Sequence, residues 1–462
     1  MKKYLSLLLM ALAFSSAGAE SFISDGIHYQ TLPDDEDCCE VTWAAGMSYG
    51  GVVSIPSVVS YDGRDFTVAG IGAYAFASSE GLTDIELPPT IAYLGRNAFQ
   101  SCSGLKEITL PEKTAEIGAQ AFYGCASLIS FSGKGVASVG DAAFSNCTSL
   151  AEAELGENLK SLGESSFRGC RSLESFRLPE GIALGEGVFS GCVSLREIAL
   201  PASLYDIPAY TFSECIGLQQ VEGSACATTI GAYAFSTCSA LRSFEFSHEI
   251  SAIGEGAFFF CSDLDMVSIG GVEATIGKYA FSGCSSLQQV EINGVVEIGE
   301  EAFANDSELH SISLGESIHY IRERSFRGCT ALAKVGCYSD QPPFLANTSF
   351  EEETYRKAEL EVPYGCGLLY RQTPPWSYFM NVGELLPPGP ASVEGLSSEC
   401  EISCLAGSLV LDGAAGMVEV WSVSGDSVYR RHKEVGRLEI PMPAKGMFIV
   451  RYKQKTLKIL SE

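Results

Sequence analysis

The chain has 462 residues, 57 of them acidic and 30 basic, for a net charge of −27. So acidic a protein lacks the lysine and arginine excess that displaces counterions from nucleic acid or an anionic membrane, and both are excluded as principal partners. The imbalance is local: residues 391–462 carry 9 basic and 9 acidic side chains, leaving 21 basic and 48 acidic upstream.

Lys2 and Lys3 open the chain, followed by an apolar run from Tyr4 to Phe14 and the small residues Ala17-Gly18-Ala19 before Glu20. This is the layout of a secretory signal peptide over residues 1–19, so export is expected. No Cys lies near the cleavage point to take a lipid, and no later stretch reaches ~18 consecutive apolar residues, so no transmembrane helix is expected.

From Ile71 to Leu332 one phrase recurs twelve times, anchored on Phe76, Phe99, Phe122, Phe144, Phe167, Phe189, Phe212, Phe235, Phe258, Phe281, Phe303 and Phe326, at steps of 22 or 23 residues. Leu stands six residues after every anchor, and Ile, Leu or Val five before it. Gly stands four before it except at Pro208 and Arg322, and Cys three after it except at Ser79 and Asp306. A fixed period of this length defines a solenoid, in which a single repeat cannot bury its own apolar face. About 12–13 coils of 22–23 residues are expected, each with one short parallel strand.

The strand is read from segments such as Leu241-Arg242-Ser243-Phe244-Glu245-Phe246, whose last four residues alternate polar and apolar. Pro88, Pro111, Pro179 and Pro201 follow and end it. Ahead of it, Ile230-Gly231-Ala232-Tyr233-Ala234-Phe235 supplies a Gly turn and a short helical or irregular segment that carries Phe inward. The small residue before each Phe leaves space for tight contact between coils. Ten of the 17 cysteines share one phase of the repeat, so they should stack inside as small buried thiols. Cysteines ~23 apart do not make a metal site, and no metal or cofactor is expected. Cys38, Cys39, Cys226, Cys337, Cys366, Cys400 and Cys404 are irregular, and Cys400 with Cys404 is the one local pairing to consider.

The phrase Ile-Gly-x-x-Ala-Phe-x-x-Cys-x-x-Leu-x-x-Ile-x-Leu-Pro resembles the BspA-type leucine-rich repeat of bacterial and some protozoan surface proteins. The resemblance runs from about 70 to 380. It implies a leucine-rich-repeat solenoid over residues 71–383 with a terminal coil from about 340. Asp25-Gly26-Ile27-His28-Tyr29, Tyr49-Gly50-Gly51, Ile55-Pro56 and Val68 look like the family's strand-rich N-terminal cap, over residues 20–70. Pro342-Pro343, Phe350, Leu360-Glu361-Val362-Pro363, Tyr370 and Trp376-Ser377-Tyr378-Phe379 look like its terminal coil. Caps are also a physical need, because bare ends would expose core and unpaired strand edges.

Residues 384–390, with Leu386-Pro387-Pro388-Gly389-Pro390, read as a stiff linker. Beyond it, residues 391–462 alternate as short strands over 408–411, 417–423, 427–431, 437–440, 447–452 and 456–460, the pattern of a small all-β sandwich. Lys445-Gly446-Met447-Phe448-Ile449-Val450-Arg451 and Lys458-Ile459-Leu460 are similar to the C-terminal sorting domain of the type IX secretion pathway. A spacer or anchoring sandwich is the alternative.

Catalytic constellations are missing. His28, His248, His310, His319 and His432 are scattered; His310 and His319 lie in neighbouring coil positions and read as solvent-exposed loop residues. Gly46-Met47-Ser48-Tyr49-Gly50 satisfies the nucleophile-elbow pattern, but the pattern carries chemistry only between a buried strand and a helix. Asp34-Asp35-Glu36-Asp37 before Cys38-Cys39-Glu40 has clustered oxygens for Ca²⁺, without the spacing of a defined calcium loop. What remains is surface. The outward strand positions hold Asp84, Glu86, Glu107, Glu152, Glu154, Glu197, Glu222, Glu245 and Glu291, against only Arg177 and Lys334 of opposite sign. These nine acids are the expected binding face. The expected function is a non-enzymatic, exported surface protein whose repeats bind basic extracellular or cell-surface proteins; the resemblance implies adhesion. A structural spacer of the cell envelope is the second reading.

Overall fold

The structure, a computed structural model, describes residues 19–271 and 273–385 and seven strands between 400 and 461. The signal-peptide reading and residues 386–390 of the expected 384–390 linker lie outside the described residues, and Glu384 belongs instead to the strand Asn381–Glu384. The fold is a parallel β-solenoid of about 14 turns. Two compact units divide the chain, residues 1–244 with 256–263, and residues 245–255 with 264–462.

In the first unit, Ser21–Ser24, Ile27–Leu32 and Asp35–Val41 form an antiparallel meander. Its last strand pairs in parallel with Arg64–Ile71, which in turn pairs with Tyr93–Leu94. Gly50–Ser54 pairs with Gly81–Glu86. The cap thus covers the first strand edge of both columns that follow. Tyr49 packs on Phe76 at 4.8 Å between ring centroids and closes the end of the phenylalanine column. Ser48 is an exposed loop residue before the strand Gly50–Ser54, with no helix after it, so the nucleophile-elbow reading fails on geometry.

Each coil carries two short strands in most repeats, where one was expected. The second is the Ile-Gly segment: Tyr93–Leu94, Glu116–Ile117, Ser138–Val139, Ser161–Leu162 and Ala183–Leu184 pair in sequence, all parallel. Its cause is the glycine. A Cβ at Gly95 would lie 2.7 Å from the backbone of Gly72 and Ala73, and one at Gly118 2.7 Å from Gly95 and Arg96, so neighbouring coils approach as bare backbone. In the coil where Pro replaces that glycine the ladder lapses. Gly185 donates its N–H to the Leu162 carbonyl, whereas Pro208 has no N–H to offer Leu184, and a new ladder begins at Asp206–Ile207 with Thr229–Ile230.

Of the two forms expected for the segment around each Phe, helical or irregular, the structure has the irregular one, a run of turns. The residues two before and two after every anchor are both left-handed, from Tyr74 (φ 60°) and Ser78 (φ 60°) to Arg324 (φ 56°) and Gly328 (φ 80°). This alternation sends every second N–H to the next coil: Tyr74 to the Arg96 carbonyl at 2.9 Å, Phe76 to Ala98 at 2.8 Å, Ser78 to Gln100 at 2.7 Å. The N–H groups between them close local turns, as Ala77 does on Tyr74 at 3.0 Å. Left-handed backbone costs a non-glycine residue ~1–2 kcal/mol, and the interlocking hydrogen bonds hold it there.

Inside, the rings of Phe76 to Phe258 stack in sequence in the first unit at 4.9–5.9 Å between centroids, each fully buried. Phe131, Phe176 and Phe244 pack edge-on or steeply tilted against the column from the strand side. In the second unit the column is Phe281, Phe303, Phe326 and Phe350. Its end is plugged by Phe379, edge-on to Phe350 at 5.5 Å, and by Trp376, whose Nε1 donates to the Pro343 carbonyl at 2.8 Å. The strands Glu359–Val362 and Asn381–Glu384 extend the outer sheet, and the helices Glu352–Lys357 and Gly367–Gln372 cover the terminal coil.

The in-phase cysteines do more than fill space. Cys102 Sγ donates to the Phe76 carbonyl at 3.1 Å, Cys125 to Phe99 at 3.0 Å, and the pattern continues to Cys261 on Phe235 at 3.2 Å. Each carbonyl also accepts an N–H from its own turn, Ser79 on Phe76 at 3.0 Å, so the thiol satisfies the second lone pair. Burial pushes the Cys102 and Cys261 thiols up, and that of Cys215 to about 12. Cys400 and Cys404 share the strand Cys400–Leu405, which sets their Cα atoms ~13 Å apart, too far for a disulfide. The six expected C-terminal strands are present with that seventh, in two antiparallel sheets: Cys400–Leu405, Ser408–Gly413, Gly436–Pro441, and Ser427–Lys433, Gly416–Ser422, Gly446–Tyr452, Lys455–Ser461.

A thiol-specific reagent applied to native protein should label the partly exposed Cys38, Cys226 and Cys366 and spare the ladder from Cys102 to Cys261 until denaturant is added. Ladder cysteines labelled in the native protein, or found joined in disulfides by mass spectrometry, would contradict this packing.

Asp306 stands where the repeat calls for Cys, fully buried, with no hydrogen-bond partner for either carboxyl oxygen. Burial holds its carboxyl well above the usual carboxylate range, against the opposing backbone of Cys284 and Gly283. An unfolded aspartate ionises near ~3.9, so above that pH the folded state retains a proton the unfolded state has lost, and stability falls as pH rises. Asp306→Cys should therefore raise the unfolding midpoint at pH 7, with the gain shrinking as pH falls to about 4. A gain of constant size across that range would rule out ionisation as its source.

Candidate functional site

The outward strand positions of the first unit are set by register. Glu107 lies across from Ser130, and Ser130 from Glu152; Thr109 lies across from Ser132, and Ser132 from Glu154. Carboxylates at one level are thus two strand spacings apart, roughly 10 Å, with a hydroxyl between them. Glu197 faces Gln220 and Ala199 faces Glu222, which puts Glu197 and Glu222 on a diagonal. At the capped end Val52 faces Asp84 and Ser54 faces Glu86. The face is acidic, exposed and interleaved with Ser, Thr and Gln, rather than a continuous carboxylate ladder.

Neighbours tune individual acids. Glu154 takes Lys134 Nζ at 3.1 Å and Ser132 Oγ at 3.0 Å, and those hydrogen bonds hold its carboxyl below the usual range. Gln220 Nε2 donates to Glu222 at 3.2 Å. In the second unit Gln289 Nε2 donates to Glu291 at 2.8 Å, and Glu291, half-buried, lies between Ser268 and Ser313. Glu245 is exposed on a coil without a regular strand. Farther on, Lys334 pairs with Glu361 at 3.2 Å, while Tyr338 donates its hydroxyl to the same carboxylate at 3.0 Å. Eight of the nine acids are exposed and Glu291 is half-buried; their spacing is looser than the repeat pattern suggests.

The remaining sequence candidates separate. His310 borders the long outer strand and His319 the short strand column, so the fold does not bring them together. Asp37 is 4.0 Å from Arg64, and Glu40 is buried on the Tyr93 hydroxyl and the Gln30 amide, each at 2.6 Å. Among the described residues no group of three His, Cys, Asp or Glu side chains is placed to hold a metal, and no helix is long and apolar enough to cross a membrane.

Two features escaped the sequence reading. A groove of about 340 Å³ crosses the short strands of the first unit, floored by Gly118, Gly140, Gly163 and Gly185. On the turn beside it, Tyr210 and Tyr233 stack at 5.5 Å. Aligning the repeats two residues before each anchor would have shown tyrosine in two consecutive coils.

Parallel coils, a buried phenylalanine column and one Leu per turn define a leucine-rich-repeat solenoid. The profile of the BspA type leucine rich repeat region matches six copies over residues 69–195, 182–273 and 271–360, and the chain belongs to that family, one of bacterial surface proteins that are typically non-enzymatic. No curated protein matches the sequence. Among solved structures, a leucine-rich repeat protein from Bacteroides ovatus is 26% identical, with a TM-score of 0.61, over 79% of this chain and 99% of its own. A leucine rich cell surface protein from Faecalibacterium prausnitzii is 22% identical over 68% of this chain and 94% of its own, with a TM-score of 0.41. The pneumococcal vaccine antigen PcpA is 16% identical over 79% and 97%, with a TM-score of 0.43.

Proposed function

We propose that the protein is exported and displayed on the cell surface, where its outward strand face adheres to a basic protein of a host, a neighbouring cell or the extracellular matrix. The observation that carries this reading is the side-chain set at the outward positions: Glu107, Glu152, Glu154, Glu197 and Glu222 exposed among Ser130, Ser132 and Gln220. Exposed carboxylates with few paired bases lose repulsion when a cationic surface arrives, and the hydroxyls and amides offer hydrogen bonds at fixed intervals. A solenoid presents such positions as one extended, repeating surface. The sorting role of residues 391–462 belongs to the same proposal, with its Lys-rich closing strand as the supporting feature.

The test is binding of a panel of basic extracellular proteins across ionic strength, with parent protein and a variant carrying Glu107→Lys, Glu152→Lys, Glu197→Lys and Glu222→Lys. Affinity should fall steeply with salt, and the variant should bind at least about tenfold more weakly with an unchanged unfolding midpoint. Affinity indifferent to both salt and charge reversal would refute the strand face. No binding by any member of the panel would favour the envelope-spacer reading.

A further inference from the structure

The position two residues before each core phenylalanine projects from left-handed backbone on the turn edge of the first unit, away from the outer strands. Tyr210 and Tyr233 occupy it in consecutive coils, their rings 5.5 Å apart and 8° from parallel. The two ends of this stack differ. Toward the following coil it is closed: the Tyr233 ring fills the place of a side chain at Gly256, its Cε1 2.3 Å from where a Cβ would stand. Toward the preceding coil the equivalent residue is Gly187. A Cβ there would meet nothing nearer than Ser165 Oγ at 3.4 Å and the Cβ atoms of Tyr210 and Ser190 at 3.8 and 4.0 Å. One face of Tyr210, a residue 45% exposed, therefore borders a slot, the space a longer side chain at Gly187 would fill, above the buried Gly187 backbone and beside the Ser165 hydroxyl.

The charge around the slot says what fits. Glu186 adjoins Gly187, and the same repeat position holds Glu164 and Asp141 in the two preceding coils. All three are exposed, and none ion-pairs with a described residue. Glu214, exposed two residues after Phe212, adds a fourth carboxylate in the coil of Tyr210; Arg168 is the exposed base on the far side of the neighbouring turn. A bare aromatic face attracts a cation through its quadrupole, and a planar guanidinium both stacks on the ring and takes a carboxylate in its fork. We propose that Tyr210, Gly187 and Glu186 form a seat for an arginine side chain of a basic partner protein, with Glu164 and Asp141 receiving the next basic residues of the same segment. The seat is separate from the outward strand face and does not depend on it.

A fluorescein-labelled nona-arginine peptide, titrated against the full chain at low ionic strength and followed by anisotropy, tests this. Tyr210→Ala should weaken binding about three- to fivefold, as expected for an exposed cation–π contact, while Tyr210→Phe keeps parent affinity. Gly187→Asn should weaken it to the same degree by filling the slot; Asn97 already holds this backbone position at φ 57°, so the substitution is compatible with the fold. Introduced into the strand-face charge-reversal variant, Tyr210→Ala should weaken binding by the same factor as in the parent protein. Unchanged affinity in both Tyr210→Ala and Gly187→Asn would overturn the seat. So would equal weakening by Tyr210→Phe, which would assign the contact to the hydroxyl, or full competition by a neutral cello-oligosaccharide, which would assign the ring face to sugar.

Discussion

Everything the surface presents depends on each core phenylalanine seating on the ring of the coil before it. Ring centroids 4.9–5.9 Å apart nearly match the ~4.8 Å separation of paired strands, so the column and the two ladders share one repeat length. The carbonyls of Phe76 to Phe235 add a second lock, each accepting an N–H from its own turn and a thiol from the next coil. A side chain much smaller than phenylalanine would leave the column empty and remove the reason for the coils to hold register.

The sequence made the apolar skeleton legible because burial acts on residue type at a fixed phase. Phe144, Leu150 and Cys147 could be placed inside without coordinates, and the outward acids followed from alternation on the strand. The left-handed turn was not legible. Ser78, Glu214 and Phe260 adopt it beside Gly124 and Gly169, so local preference is overridden by hydrogen bonds to the next coil. The thiol's donor role was hidden for a related reason: a buried Cys looks like a small hydrophobe until its partner carbonyl is seen. The second strand ladder was half visible, since Gly before each anchor was read as a turn residue when it serves close backbone approach.

The candidate face was legible in identity but not in spacing. Repeat phase predicted which acids point outward; only register showed Ser130 standing between Glu107 and Glu152. That dilution explains why so acidic an array is tolerated. Two carboxylates in contact repel by about 1 kcal/mol in water, and separation by a serine and intervening solvent lowers this further. The interior fixes positions and leaves their chemistry open, so one scaffold presents carboxylates on its strands and stacked tyrosines on its turns.

The central claim, that the ring column holds the coils together, is tested most directly by Phe144→Ala. Phe144 is fully buried between Phe122 and Phe167, at 5.0 and 4.9 Å, with Phe131 against its edge at 4.7 Å. Urea unfolding combined with hydrogen exchange should show a loss of about 3–5 kcal/mol, with protection lost first in the coils of Phe122, Phe144 and Phe167. A loss below about 1 kcal/mol, with protection in those coils unchanged, would contradict the account.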